Sequence, residues 1–160
     1  MVITYHGAGH FKIQSGDFTI AVDPTRRIKA DIIIRLNSEK GEKDDEAEGF
    51  LISHPGEYEV KETRVSGRAN IYIIEMEDMR VVLAGQHAEN TGEISSPDVL
   101  IAPADSKTAE LGRQLKPSIL AVSAENKDIK SFLKELGREA ETLDKLTFKK
   151  KDLTPEAMKA

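Results

Sequence analysis

Residues 2–24 read VITYHGAGHFKIQSGDFTIAVDP, and their alternation points to a sheet. Ile3 and Tyr5 alternate with polar neighbours, as do Phe11 and Ile13. Phe18, Ile20 and Val22 then place three apolar side chains on one face of a strand. Gly16-Asp17, between the last two runs, is a hairpin turn signal.

Further along, Asp31-Ile32-Ile33-Ile34 is a short continuous apolar run, the pattern of a central strand buried on both faces. Residues 37–48, NSEKGEKDDEAE, read as a charged loop. A new strand starts at Phe50-Leu51-Ile52-Ser53, and Pro55-Gly56 turns it. Tyr58 to Val65 reads as one alternating strand ended by Gly67. Ile71 to Ile74 and Arg80 to Leu83 form a hairpin around Glu77-Asp78. The second half mixes element types. Val99 to Ile101 and Ile119 to Val122 are short buried strands, with a helix from Ser106 to Leu115 between them, capped by Asp105. Ile129, Phe132, Leu133 and Leu136 make one apolar stripe on a helix that stops at Gly137. Leu146 and Phe148 suggest a last strand, and Thr154-Pro155-Glu156 has the grammar of a helix start. A β-rich half followed by a mixed half predicts packed sheets with helices outside, an α+β fold.

At 160 residues, the expectation is a single domain over 1–160, with 153–160 as a C-terminal tail. The hydrophobic share of 39% against 32% charged suits a globular chain. A net charge of −5 argues against general nucleic-acid binding, which needs clustered Lys and Arg. With no cysteine, disulfides, thiolate zinc sites and cysteine nucleophiles are excluded. No signal peptide or membrane-length apolar run is visible, so the expectation is a cytoplasmic protein with no membrane partner.

The segment Ile3 to Pro24 resembles the "I-T-W-L-G-H-A-S-F-x-I-E…I-L-I-D-P" opening of ascorbate-6-phosphate-lactonase-like hydrolases of the metallo-β-lactamase superfamily. Further echoes follow in family order: Ala30 to Ile34, His54 to Val60, Val65 to Gly67, Val81 to Gln86, Pro97 to Pro103 and Leu115 to Ala124. The resemblance implies an αββα sandwich, two packed mixed sheets with outer helices, here shortened. It also implies zinc at the sheet edges and hydrolysis by a metal-activated hydroxide.

The metal-binding positions depart from the family pattern. Where the family carries H-x-H-x-D-H, this chain has Leu36-Asn37-Ser38-Glu39-Lys40-Gly41. Gln86 stands where a metal-bridging aspartate is expected, and Ser123-Ala124-Glu125 replaces the late "P-x-H" histidine. Zinc needs several imidazoles or carboxylates converging on one ion. Without the ion, the polarisation of substrate and the activation of water are lost. Only four histidines remain, His6, His10, His54 and His87, with no H-x-H or H-E-x-x-H pair among them. The resemblance puts Asp23 in a supporting position beside the site. A rearranged centre would draw on His54, His87 and Asp23, with His6, His10 and Asp105 as further donors, and would take zinc or manganese.

Other motifs have plain explanations. Gly7-Ala8-Gly9 lacks the third glycine and the following helix of a dinucleotide site, so it reads as a tight turn. Ser53-His54 are adjacent and no G-x-S-x-G is present, which gives a serine triad no support. Glu57 and Glu59 fit a solvated strand face better than an acid–base pair. Lys149-Lys150-Lys151 is an ordinary surface run, and Asp44-Asp45-Glu46 lacks the spacing of an EF-hand loop.

Three functions remain. The first is a non-catalytic binding or scaffolding module with no cofactor and no metal. The second is a lactone or phosphoester hydrolase with the rearranged metal site. The third is a structural homo-oligomer paired through exposed sheet edges.

Overall fold

The structure is a computed structural model; it describes residues 1–36, 48–86, 88, 94–123 and 129–153. The opening segment folds as the antiparallel strands β1 (Val2–Tyr5), β2 (Phe11–Ser15) and β3 (Phe18–Val22). β4 (Lys29–Ile34) and β5 (Glu48–Ile52) then add parallel to β3, with Val22, Ile34 and Ile52 in register. Ile32, Ile33 and Ile34 are fully buried with a strand on either side, as their continuous apolar run predicts.

The second sheet begins with β6 (Gly56–Val60) and β7 (Thr63–Arg68). It continues through β8 (Ile71–Met76) and β9 (Met79–Ala84), then adds β10 (Val99–Pro103) and β11 (Ile119–Ser123) in parallel. Its order is β11-β10-β9-β8-β7-β6. The first sheet is closed by β12 (Lys145–Thr147), giving β12-β1-β2-β3-β4-β5. Leu146 sits in β12, while Phe148 lies just beyond it in the inter-sheet core. Both faces meet around one core, where Ile13, Ile20 and Ile34 of the first sheet join Val65, Ile74 and Leu83 of the second.

The two described helices, α1 (Ser106–Leu115) and α2 (Ile129–Leu136), cover the outer face of the second sheet. Leu111, Leu115, Phe132 and Leu136 pack there on Val82, Leu100 and Leu120. Asp105 caps α1 as expected, accepting from Thr108 N at 2.8 Å. Gly137, at φ +71°, ends α2 in the left-handed conformation.

One expectation is corrected. Tyr58 to Val65 is not a single strand but a hairpin, in which Tyr58 and Val65 are directly opposed. Lys61 (φ +46°) and Glu62 (φ +66°) form its two-residue turn, a left-handed pair normally supplied by Asn-Gly. Gly67 lies inside β7 rather than at its end. The turn is held from outside: Lys61 Nζ reaches Asp31 Oδ1 at 2.8 Å, and Asp31 Oδ2 accepts from Thr19 N at 2.9 Å. The bond from Lys61, with that from Thr19, holds the Asp31 carboxyl below its ordinary value. The expected helix start at Thr154-Pro155-Glu156 and the loop 37–47 lie outside the described residues. Among the described residues, no helix is long and apolar enough to cross a membrane.

Candidate functional site

Parallel strands finish at a common edge, and the loops that follow them carry most of the candidate residues. In the first sheet, Asp23, Arg35 and Ser53 come immediately after the aligned Val22, Ile34 and Ile52. The row is continued by backbone bonds, Asp23 N to Ile34 O and Arg35 N to Ile52 O, both 2.9 Å. Phe11 pairs with Val22, so the Tyr5-to-Phe11 connection flanks the same edge. In the second sheet, Leu83, Ile101 and Ala121 align, which puts Gln86 and Ser123 at the ends of the two parallel strands that flank β10.

The two edges meet near Tyr72, whose β8 position is opposite Leu83 on one side and Gly67 on the other. Burial pushes its phenol pKa up, and the nearby Tyr58 and Asp23 add to that. Tyr58 belongs to β6 and donates from its hydroxyl to the His54 carbonyl at 2.8 Å. Asp23 at the exit of β3, Tyr72 of β8 and the His54 turn therefore bound one region between the sheets.

The candidates occupy distinct environments. Asp23 adopts φ +45°, and its Oδ1 accepts from Leu36 N at 2.9 Å, so the carboxylate shapes the exit from β4. Arg35 donates from Nη1 to Pro24 O at 2.7 Å, clamping the same two strand ends. His54 is exposed, with Nδ1 2.9 Å from Ser53 Oγ. That contact joins sequence neighbours in solvent, unlike the oriented pair of a nucleophilic site. Glu57 and Glu59 are exposed and pair with Ser66 and Arg64, the solvated face expected of them. Asp105 is engaged at the start of α1. His87, Asp44 and Asp45 lie outside the described residues.

His10 stands apart. It is 1% exposed, and its Nε2 is buried with no hydrogen-bond partner. The His6 ring lies 4.8 Å away, between centroids, and is itself exposed. Burial pushes the His10 pKa down to about 4, reinforced electrostatically by the neighbouring His6 ring and by the guanidinium charges of Arg26 and Arg35. Sequence reasoning singled out neither arginine nor Tyr72. An Arg beside a strand is ordinary surface grammar, and only the register shows that Arg35 ends beside Asp23 and His10.

These residues do not fit the two-zinc centre of the fold. Among the described residues, no three His, Asp or Glu side chains form a group that could hold a metal ion. Leu36, Gln86 and Ser123 stand at strand ends where zinc would need imidazole or carboxylate donors.

No family model and no curated protein matches the chain. Solved structures do. A Thermotoga maritima protein of the metallo-β-lactamase superfamily, provisionally assigned as a Zn-dependent hydrolase, superposes with a TM-score of 0.80 at 20% identity. The match covers 99% of this chain and 96% of that one, so the short architecture is shared almost end to end. Igni18, a metallo hydrolase from Ignicoccus hospitalis, matches at TM-score 0.66 and 14% identity, over 92% of this chain and 99% of its own. YhfI from Bacillus subtilis, a metallo-β-lactamase fold protein, matches at TM-score 0.61 and 10% identity, over 84% and 91%. Two mixed sheets packed face to face, with helices outside and parallel strand ends along one edge, make this a chain of the metallo-β-lactamase fold.

Proposed function

We propose that the protein is a non-catalytic binding or scaffolding module built on a hydrolase fold. The observation that carries this reading is the chemistry at the strand ends. The β4 exit passes to Leu36, with Asp23 bonded to its backbone, and Gln86 follows β9 where the fold's metal bridge would stand. Amide and aliphatic side chains do not replace the anionic and imidazole donors that lower the pKa of bound water. Phe50 favours scaffolding by self-association: it is 47% exposed on β5, an edge strand of the first sheet.

Elemental analysis of protein purified without chelator tests the main reading. The expected result is far less than one zinc or manganese per chain, with no rise in melting temperature when either metal is added. A stoichiometric metal with a saturable thermal shift would overturn it in favour of a rearranged metal site, for which His54, His87 and Asp23 are the candidates. Light scattering across a dilution series tests self-association, and a monomer at every concentration would end that part of the reading.

A further inference from the structure

We propose that the Gly7–His10 loop, together with Arg26 and Arg35, forms a binding site for a phosphate-type oxyanion. The proposal does not rest on the reading above, since the binding groups are this chain's own cations, with or without a metal.

Two independent observations converge. The first is charge. In a chain of net charge −5, two guanidinium groups, Arg26 and Arg35, act on one imidazole at the strand-end edge, and Arg35 is fixed there by its bond to Pro24 O. The second is the unmet hydrogen bond. His10 is buried, and Nε2 has no partner among protein groups. A buried polar atom left unpaired is costly, and structures rarely keep one without a use.

An oxyanion answers both. It is attracted to guanidinium groups and accepts from an imidazole N–H as well as from guanidinium donors. A phosphate group offers enough acceptors for several of these donors at once. The loop above has room to adjust: Gly7, Ala8 and Gly9 are all left-handed, and a Cβ built at either glycine meets nothing within 4 Å. Burial, with the neighbouring guanidinium charges, keeps the imidazole neutral, and an arriving anion offsets those charges.

The test uses the full chain, stripped of metal by chelation, and inorganic phosphate as the probe. Melting temperature is followed against phosphate, with sodium chloride at matched ionic strength as reference. The expected result is a saturable rise over chloride, with apparent affinity about tenfold weaker in Arg26→Gln, the loss of one charge-assisted contact. In His10→Phe the excess over chloride disappears. Proton NMR of wild type supplies a second readout, with the His10 resonances shifting and its pKa rising as phosphate is added. Equal stabilisation of wild type and both variants would reveal only the general effect of an excluded salt and overturn the site. So would no excess over chloride, or a response that appears only after zinc is restored. The last result would also refute the non-catalytic reading, whereas bound metal alongside a normal phosphate response would refute that reading and leave this one standing.

Discussion

Gly67 of β7 lies beneath the ring of Tyr72, its directly opposed partner on β8. A Cβ at Gly67 would stand 2.6 Å from Tyr72 Cε1 and 3.3 Å from Pro55 Cα. Tyr72 is almost wholly buried in the inter-sheet core, so its ring has little freedom to retreat. Gly67→Ala is therefore expected to lower unfolding free energy by about 1–3 kcal/mol, the ordinary cost of overpacking. Urea denaturation checks this. A second variant isolates the cause: adding Tyr72→Leu to Gly67→Ala should cost less than the two single changes summed. Strict additivity would show that ring and methyl do not collide.

The buried imidazole of His10 makes stability depend on pH. Its pKa is about 4 in the folded chain against 6.5 for the free side chain. Between those values the unfolded chain binds more protons, so acid favours unfolding. The contribution is fully present above pH 6.5, declines as pH falls, and is exhausted near pH 4. Its full size is about 3 kcal/mol, at 1.36 kcal/mol per pKa unit. His10→Phe keeps a ring of similar shape and removes the titration. Its stability should change less steeply across this window than that of wild type, as measured by denaturant melts at several pH values. Parallel profiles would remove His10 as the cause.

Much of this fold was legible in local pattern. The opening strands, the isoleucine run of β4 and both helices follow from periodicities of two and of 3.6 residues. The β6–β7 hairpin escaped because Lys61-Glu62 carries no turn signature. A phase slip marks it nonetheless: Tyr58 and Val60 are even-numbered, Thr63 and Val65 odd, and the pairs 58–65 and 60–63 share faces only if the chain reverses. The site was less legible. Missing zinc donors are visible as wrong residue types, but the meeting of His10, Arg26 and Arg35 depends on register and packing between distant segments. No short motif encodes that. His10 read as one of four unremarkable histidines until burial separated it from exposed His6.

Gly112 should be improvable. It lies inside α1, outside the left-handed region, where glycine costs about 1 kcal/mol relative to alanine. A Cβ there would meet Leu120 Cδ2 at 3.4 Å and Leu136 Cδ1 at 3.6 Å, both ordinary contacts. Gly112→Ala is expected to raise unfolding free energy by about 0.5–1 kcal/mol. Gly112→Leu should do the reverse, because its further carbons have no space between helix and sheet. Thermal melts of the pair give both signs, and a destabilised alanine variant would mean that the α1–α2–sheet junction is tighter than these distances allow.

Asp23 separates a structural role from a metal-binding one. Its left-handed backbone and its bond to Leu36 N shape the β3 and β4 exits. Asparagine keeps the accepting oxygen and tolerates that backbone; alanine does neither. Asp23→Ala should therefore lose about 1–2 kcal/mol, with Asp23→Asn recovering about half or more of it. A carboxylate acting on a metal predicts the opposite ordering of information. Both variants would then lose a zinc-dependent thermal shift alike, since an amide is a poor zinc ligand. Melts with and without added zinc distinguish the two. Recovery by asparagine, with no zinc response in wild type, is expected if the residue is retained to hold two strand ends together.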